Sequence, residues 1–105
     1  MNDNILIPGA TATGSFKLPV DASIIQSLTI DYAQEGQFRF SKTEKDCSLN
    51  GTSGTVKLTQ EDTLKFVDGR AAQVQIVLVT MGGEVIPSKP ISFSVGTRLN
   101  REVLE

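Results

Sequence analysis

Histidine is missing from all 105 residues, tryptophan is missing too, and cysteine occurs once, as Cys47. Without histidine the chain lacks the usual general base, the Ser-His and Cys-His nucleophile pairs and the commonest metal ligand. One cysteine forms no internal disulfide and builds no zinc site, and it fits synthesis in a reducing compartment. The acidic residues are not spaced as a calcium loop. Gly82-Gly83 is followed by neither a lysine nor a helix, so it is a turn rather than a phosphate loop. Ten lysines and arginines against twelve acids give a net charge of −2, with both signs interspersed. A basic stripe for nucleic acid is therefore absent. No apolar run approaches the length of a membrane span. The start, Met1 to Pro8, has no positive segment and only three consecutive apolar residues, Ile5, Leu6 and Ile7. The expectation is a non-enzymatic protein with no cofactor or metal, no nucleic-acid or membrane partner, made in the cytoplasm without a signal peptide.

What is present is period-two alternation from Ser15 to Val95. Phe16 and Leu18 alternate with polar neighbours, as do Leu28, Ile30 and Tyr32, then Phe38 and Phe40, then Val56 and Leu58. Val74, Ile76 and Leu78 form the longest run, and Ile91, Phe93 and Val95 the last. Glu35-Gly36 and Gly82-Gly83 predict hairpins, and Asn50-Gly51 with Gly54 predicts positive φ before the Val56 strand. Pro87 and Pro90 predict an edge or a bend. Thr59-Gln60-Glu61-Asp62 predicts a capped single helical turn, and 21–26 a second short one. About seven short strands with turns between them predict one domain over 1–105, an all-β, immunoglobulin-like antiparallel β-sandwich, with a small barrel as the alternative. Residues 1–10 are a candidate N-terminal arm and 97–105 a candidate C-terminal docking segment.

Several features read as structure rather than chemistry. Glu61 and Asp62 suit the first turn of a helix better than a pair of catalytic acids. Ser88 and Lys89 are adjacent in an extended segment, where successive side chains point to opposite faces, so they form no dyad. Asn50-Gly51-Thr52 is a turn. Cys47 reads as a small buried side chain. Most of the six aromatics fall at core-like positions and none is clearly outside the core pattern, which disfavours a carbohydrate-binding module, the alternative function. Three apolar sets stand out as candidate contact residues. Val77 and Val79 make the long strand apolar on its second face, covered either within the chain or by a partner. Ile5, Leu6 and Ile7 lie in the arm. Leu99, Val103 and Leu104 near the C-terminus either dock on their own domain or lead into a neighbouring subunit.

Two stretches, Leu28-Thr29-Ile30-Asp31-Tyr32-Ala33-Gln34-Glu35-Gly36 and Leu58-Thr59-Gln60-Glu61-Asp62-Thr63-Leu64-Lys65-Phe66, carry the first half of a resemblance. Val74-Gln75-Ile76 through Gly83, Ser88 and Phe93-Ser94-Val95 carry the second. Together, over about 16–104, they resemble small β-sandwich proteins of phages and prophages of Gram-positive bacteria. The order of segments is similar to the N-terminal domain of phage baseplate upper proteins. Those proteins continue into further domains where this sequence stops at Glu105, leaving tail, baseplate, head-fibre and decoration roles open. The resemblance implies a virion structural protein that works by protein–protein contacts with itself, a trimer among the candidate states, or with other virion proteins. It implies no catalytic residues.

Overall fold

Where apolar and polar residues alternate, the chain forms strands, because only the extended backbone puts every second side chain on one face. The computed structural model describes residues 5–97. In order it contains β1 (Ile5–Leu6), β2 (Ala12–Lys17), β3 (Ile25–Gln34), β4 (Gln37–Thr43), β5 (Cys47–Asn50) and β6 (Ser53–Leu58). These are followed by α1 (Gln60–Thr63), β7 (Ala72–Thr80), β8 (Val85–Pro87) and β9 (Ile91–Val95), while single 3-10 turns cover Ala22–Ile24 and Glu44–Asp46. The larger sheet has the order β1-β9-β7-β3-β4, with β8 also paired to β7; the smaller has the order β2-β6-β5. This is the all-β sandwich expected from the sequence. The cores of the two sheets, β9-β7-β3 and β2-β6-β5, repeat the arrangement of the immunoglobulin sandwich, the chain changing sheet after β1, β2, β4 and β6. One pairing departs from the antiparallel expectation: β1 runs parallel to β9, with Ile5 opposite Ser94 and Leu6 opposite Val95. Parallel pairing is open to β1 because these two strands stand at opposite ends of the chain and need no tight turn between them.

Both expected hairpins form, β3–β4 around Glu35-Gly36 and β7–β8 around Gly82-Gly83. Glu35 (φ 54°) and Gly36 (φ 76°) are both left-handed, the turn whose twist suits a two-residue hairpin. Gly51 supplies positive φ (61°) between β5 and β6, but Gly54 does not. Gly54 lies inside β6 opposite Phe16, and a Cβ there would stand 2.4 Å from the Phe16 ring and 2.9 Å from Leu49. Its glycine is thus required by close packing rather than by a turn.

The core lies between the sheets. Leu28, Ile30 and Tyr32 from β3 and Leu78 from β7 face Leu18, Val56 and Leu58, and Phe66 and Val95 close one end. Each such side chain contributes about 1.5–3 kcal/mol through burial. Tyr32 stacks on Phe40 with ring centroids 4.7 Å apart, while Phe66 and Phe93 meet it edge-on at 6.2 and 6.5 Å. Among the described residues no helix is long and apolar enough to cross a membrane.

The Phe16–Gly54 contact is open to direct test. Gly54→Ala is expected to lower stability by about 1–3 kcal/mol in denaturant unfolding, as overpacking does. Adding Phe16→Leu, which withdraws the ring, is expected to recover part of that loss.

Candidate functional site

The most polar interior region surrounds the crossing from β6 to β7. Thr59 caps α1, its hydroxyl accepting from Asp62 N–H at 3.2 Å while Asp62 Oδ2 accepts from Thr59 N–H at 2.9 Å. Lys42, from the core-side face of β4, pairs with Asp62 at 2.6 Å. Burial pushes the Asp62 carboxyl up, but the hydrogen bonds from Lys42 and the Thr59 backbone outweigh it and hold the carboxyl below its ordinary range. Thr63, fully buried, accepts from Gly9 N–H and donates to the Ala10 carbonyl, both at 2.8 Å. Gln34, also buried, donates to the carbonyls of Val67 and Arg70 and accepts from Val67 N–H at 2.7 Å. Each of these groups already serves a backbone partner or an ion pair, so the cluster fastens the crossing and holds no free nucleophile or base. A hollow of about 570 Å³ lies beside it, lined by Thr11, Thr13, Lys57 and Glu61.

Cys47, Ser88 and Glu44 also have hydrogen-bond partners. Cys47 is half-buried, its Sγ donating to the Thr43 carbonyl at 3.3 Å, and burial followed by the charges of Asp46 and Glu44 pushes the thiol up. That is the reverse of an activated thiolate. Ser88 Oγ accepts from Ile76 N–H at 2.9 Å and donates to the Lys89 carbonyl, filling the step between β8 and β9 along the edge of β7. Glu44 Oε1 accepts from Leu28 N–H at 2.8 Å, and this bond lowers its carboxyl. Tyr32 is pushed up to about 12 by burial and then by nearby Cys47 and Asp62.

The candidate contact residues fall in three places. Ile5 and Leu6 form β1, and Gly96 N–H donates to the Leu6 carbonyl at 2.8 Å. Leu6 packs on the core, Pro8 and Gly9 are buried, and Ile7 is 38% exposed. Residues 5–10 are therefore strapped to the domain instead of projecting as an arm. Leu99, Val103 and Leu104, with the rest of the C-terminal segment beyond Thr97, lie outside the described residues. Val77 and Val79 are half-buried on the outer face of the large sheet, away from the core. Their neighbours across β8 are Pro87 and Val85, the latter 64% exposed. Across β3 they meet Thr29 and Ser27. The corner where β7 and β8 meet is thus an apolar patch that no described strand covers.

Further along the same face the character changes. Gln75, Asp31 and Ser41 form a polar row, Asp31 accepting from Ser41 Oγ at 2.6 Å. Beyond it stands Phe38, opposite Ala33 and 65% exposed. This corrects the expectation that no aromatic is clearly outside the core pattern. The hairpin turn fixes Gln34 opposite Gln37 and Ala33 opposite Phe38, so an unbroken ladder would set Arg39 against Tyr32 in the core. A β-bulge takes up Arg39 instead, Phe40 moves opposite Tyr32, and Phe38 is left outside. Sequence alternation alone does not reveal such a shift. Gln34 and Thr63 also escaped the sequence reading, although Gln34 continues the inward series Leu28, Ile30, Tyr32.

Neither a protein-family model nor a curated protein matches this sequence.

The Asp62 pair sets a pH dependence. Because the folded carboxyl titrates below its unfolded counterpart, near 3.8, its contribution is complete above that value and is lost as pH falls through the folded pKa. Asp62→Asn is expected to cost about 1–3 kcal/mol at neutral pH. It should also flatten part of the acid-side fall in the denaturation midpoint, leaving the slope due to Asp21 and Glu44, whose carboxyls are lowered as well.

Proposed function

We propose that this chain is a non-enzymatic assembly module, a structural component of a phage or prophage particle, which associates with copies of itself through the outer face of its large sheet. The observation that carries this reading is the apolar corner made by Val77, Val79, Val85 and Pro87. Antiparallel sheets with one face in water normally place polar residues there. Contiguous exposed apolar side chains mark contact sites. Thr29 and Ser27 flank the patch with short side chains that let a second sheet approach closely. The resemblance to phage β-sandwich proteins supports the setting, and the occupied state of Ser88, Cys47 and Asp62 supports a role without catalysis.

The test is mass in solution, by light scattering or sedimentation over a range of concentrations. The wild type is expected to form an oligomer, and Val79→Lys with Val85→Lys to shift it towards monomer without lowering the melting temperature appreciably. A wild type that stays monomeric at high concentration counts against the self-association. Mass spectrometry of purified particles tests the virion setting separately.

A second reading, glycan binding, gains one specific support in Phe38. An exposed ring beside the Asp31–Ser41 row is the kind of surface on which a sugar ring stacks while its hydroxyls bond polar neighbours. Arg39 stands next to it with a buried Nε that has no hydrogen-bond partner among the described residues. If this reading holds, a glycan array shows binding that Phe38→Ala abolishes with the fold intact; an array without hits disposes of it.

A further inference from the structure

The two sheets are unequal, and the difference leaves a particular gap. In a seven-stranded immunoglobulin sandwich the sheet corresponding to the smaller one here has a fourth strand, the first in the sequence, beside the strand equivalent to β2. Here the first strand pairs with β9 in the large sheet, and β2 keeps β6 as its sole strand partner among the described residues.

Among the described residues the free edge of β2 is intact and unprotected. Leu18 N–H donates to the Thr52 carbonyl at 2.8 Å, continuing the β2–β6 register in which the even-numbered residues of β2 bond to β6. The alternating ladder therefore turns the N–H and C=O groups of Thr13, Ser15 and Lys17 outwards. Proteins usually defend such edges with bulges, prolines, short strands or inward charges. Of the other outer strands, β4 carries the bulge at Arg39, and β1 and β5 are only two and four residues long. β2 runs six residues with neither proline nor bulge.

Beside the end of this edge the sandwich is open. A groove of about 380 Å³ lies between Leu18 and Pro19 on one side and Ile76, Leu78 and Ile86 on the other. Ile76 and Ile86 occupy the core-side face of the large sheet yet are only half-buried, and Ile91, also on that side, is 58% exposed. On the outer face of the small sheet, Thr13, Ser15, Lys17, Ser53, Thr55 and Lys57 provide two cations, with Glu61 near Lys57 at the end away from Lys17.

We propose that the free edge of β2 and this groove accept an extended segment of a partner protein as an added strand. The edge supplies main-chain hydrogen bonds, the groove takes apolar side chains at alternate positions, and Lys17 and Lys57 select acidic residues at the intervening, outward positions. The occupant is thus a strand-forming peptide segment that alternates apolar and acidic residues. This does not depend on self-association through Val79 and Val85, which lie on the outer face of the other sheet.

The probe is a synthetic peptide of about six residues alternating valine and glutamate, titrated into the full-length chain. Amide exchange and chemical shifts are followed at Thr13, Ser15 and Lys17. The peptide is expected to bind and to slow exchange at these three amides. Two changes are expected to weaken binding about tenfold or more, since each removes edge hydrogen bonds. One is methylation of alternate peptide nitrogens. The other is Ser15→Pro, which deletes an outward donor where edge proline is tolerated. The Val79→Lys, Val85→Lys variant is expected to bind the peptide normally. Absence of binding overturns the proposal, as does equal affinity for the N-methylated peptide, an arm that needs no variant to fold. Slow exchange at all three amides in the free chain also overturns it, because the edge would then already be covered by residues 98–105 or by a second copy.

Discussion

The fold depends most on how the chain is held as it crosses from β6 to β7. Leaving one sheet for the other exposes backbone groups that neither ladder satisfies, and such groups are costly to bury without partners. Three polar side chains supply them. Asp62 closes the cap of α1 and anchors it to Lys42 on β4; Thr63 reaches across to Gly9 and Ala10; Gln34 fixes Val67 and Arg70 against the end of β3. Through these contacts the short helical turn joins the N-terminal strap to β4, and the segment that follows it is fixed to β3. Phe66, buried next to the same turn, then lies among Phe40, Phe93 and Tyr32.

What could be read from the sequence was what local chemistry decides. Glu35-Gly36 and Gly82-Gly83 specify hairpins because few residues other than glycine readily adopt the required backbone. Thr59 and Asp62 specify a capped turn because both partners lie within four residues. The second apolar face at Val77 and Val79 was visible because alternation alone assigns faces along a strand. Features set by distant register were not legible. Ile5 and Leu6 look like an arm until β9 is placed beside them. Gly54 looks like a turn residue until Phe16 is placed over it. Phe38 looks like core until the turn and Tyr32 compete for the alignment of β4.

The two sheets consequently offer different kinds of surface. The larger one has a face whose side chains grade from aliphatic to polar to aromatic across β8, β7, β3 and β4. The smaller one has a plain polar face with two lysines and an edge whose recognition capacity is in its backbone. Side-chain surfaces discriminate partners by composition, while an open strand edge discriminates by extension and alternation. The two proposed contact surfaces thereby differ in what they measure.

The bulge in β4 has a consequence for sequence variation. Arg39 occupies no position in the ladder: Phe40 faces Tyr32 on one side of it and Phe38 faces Ala33 on the other. Removing that residue leaves the turn, the inward aromatic pair and the outward ring in the same relation, with the strand merely less bent. Position 39 is therefore where relatives of this chain can differ in length by one residue without exchanging inside for outside. An alignment that spreads such a gap elsewhere along β4 would misassign every facing residue between the gap and the turn.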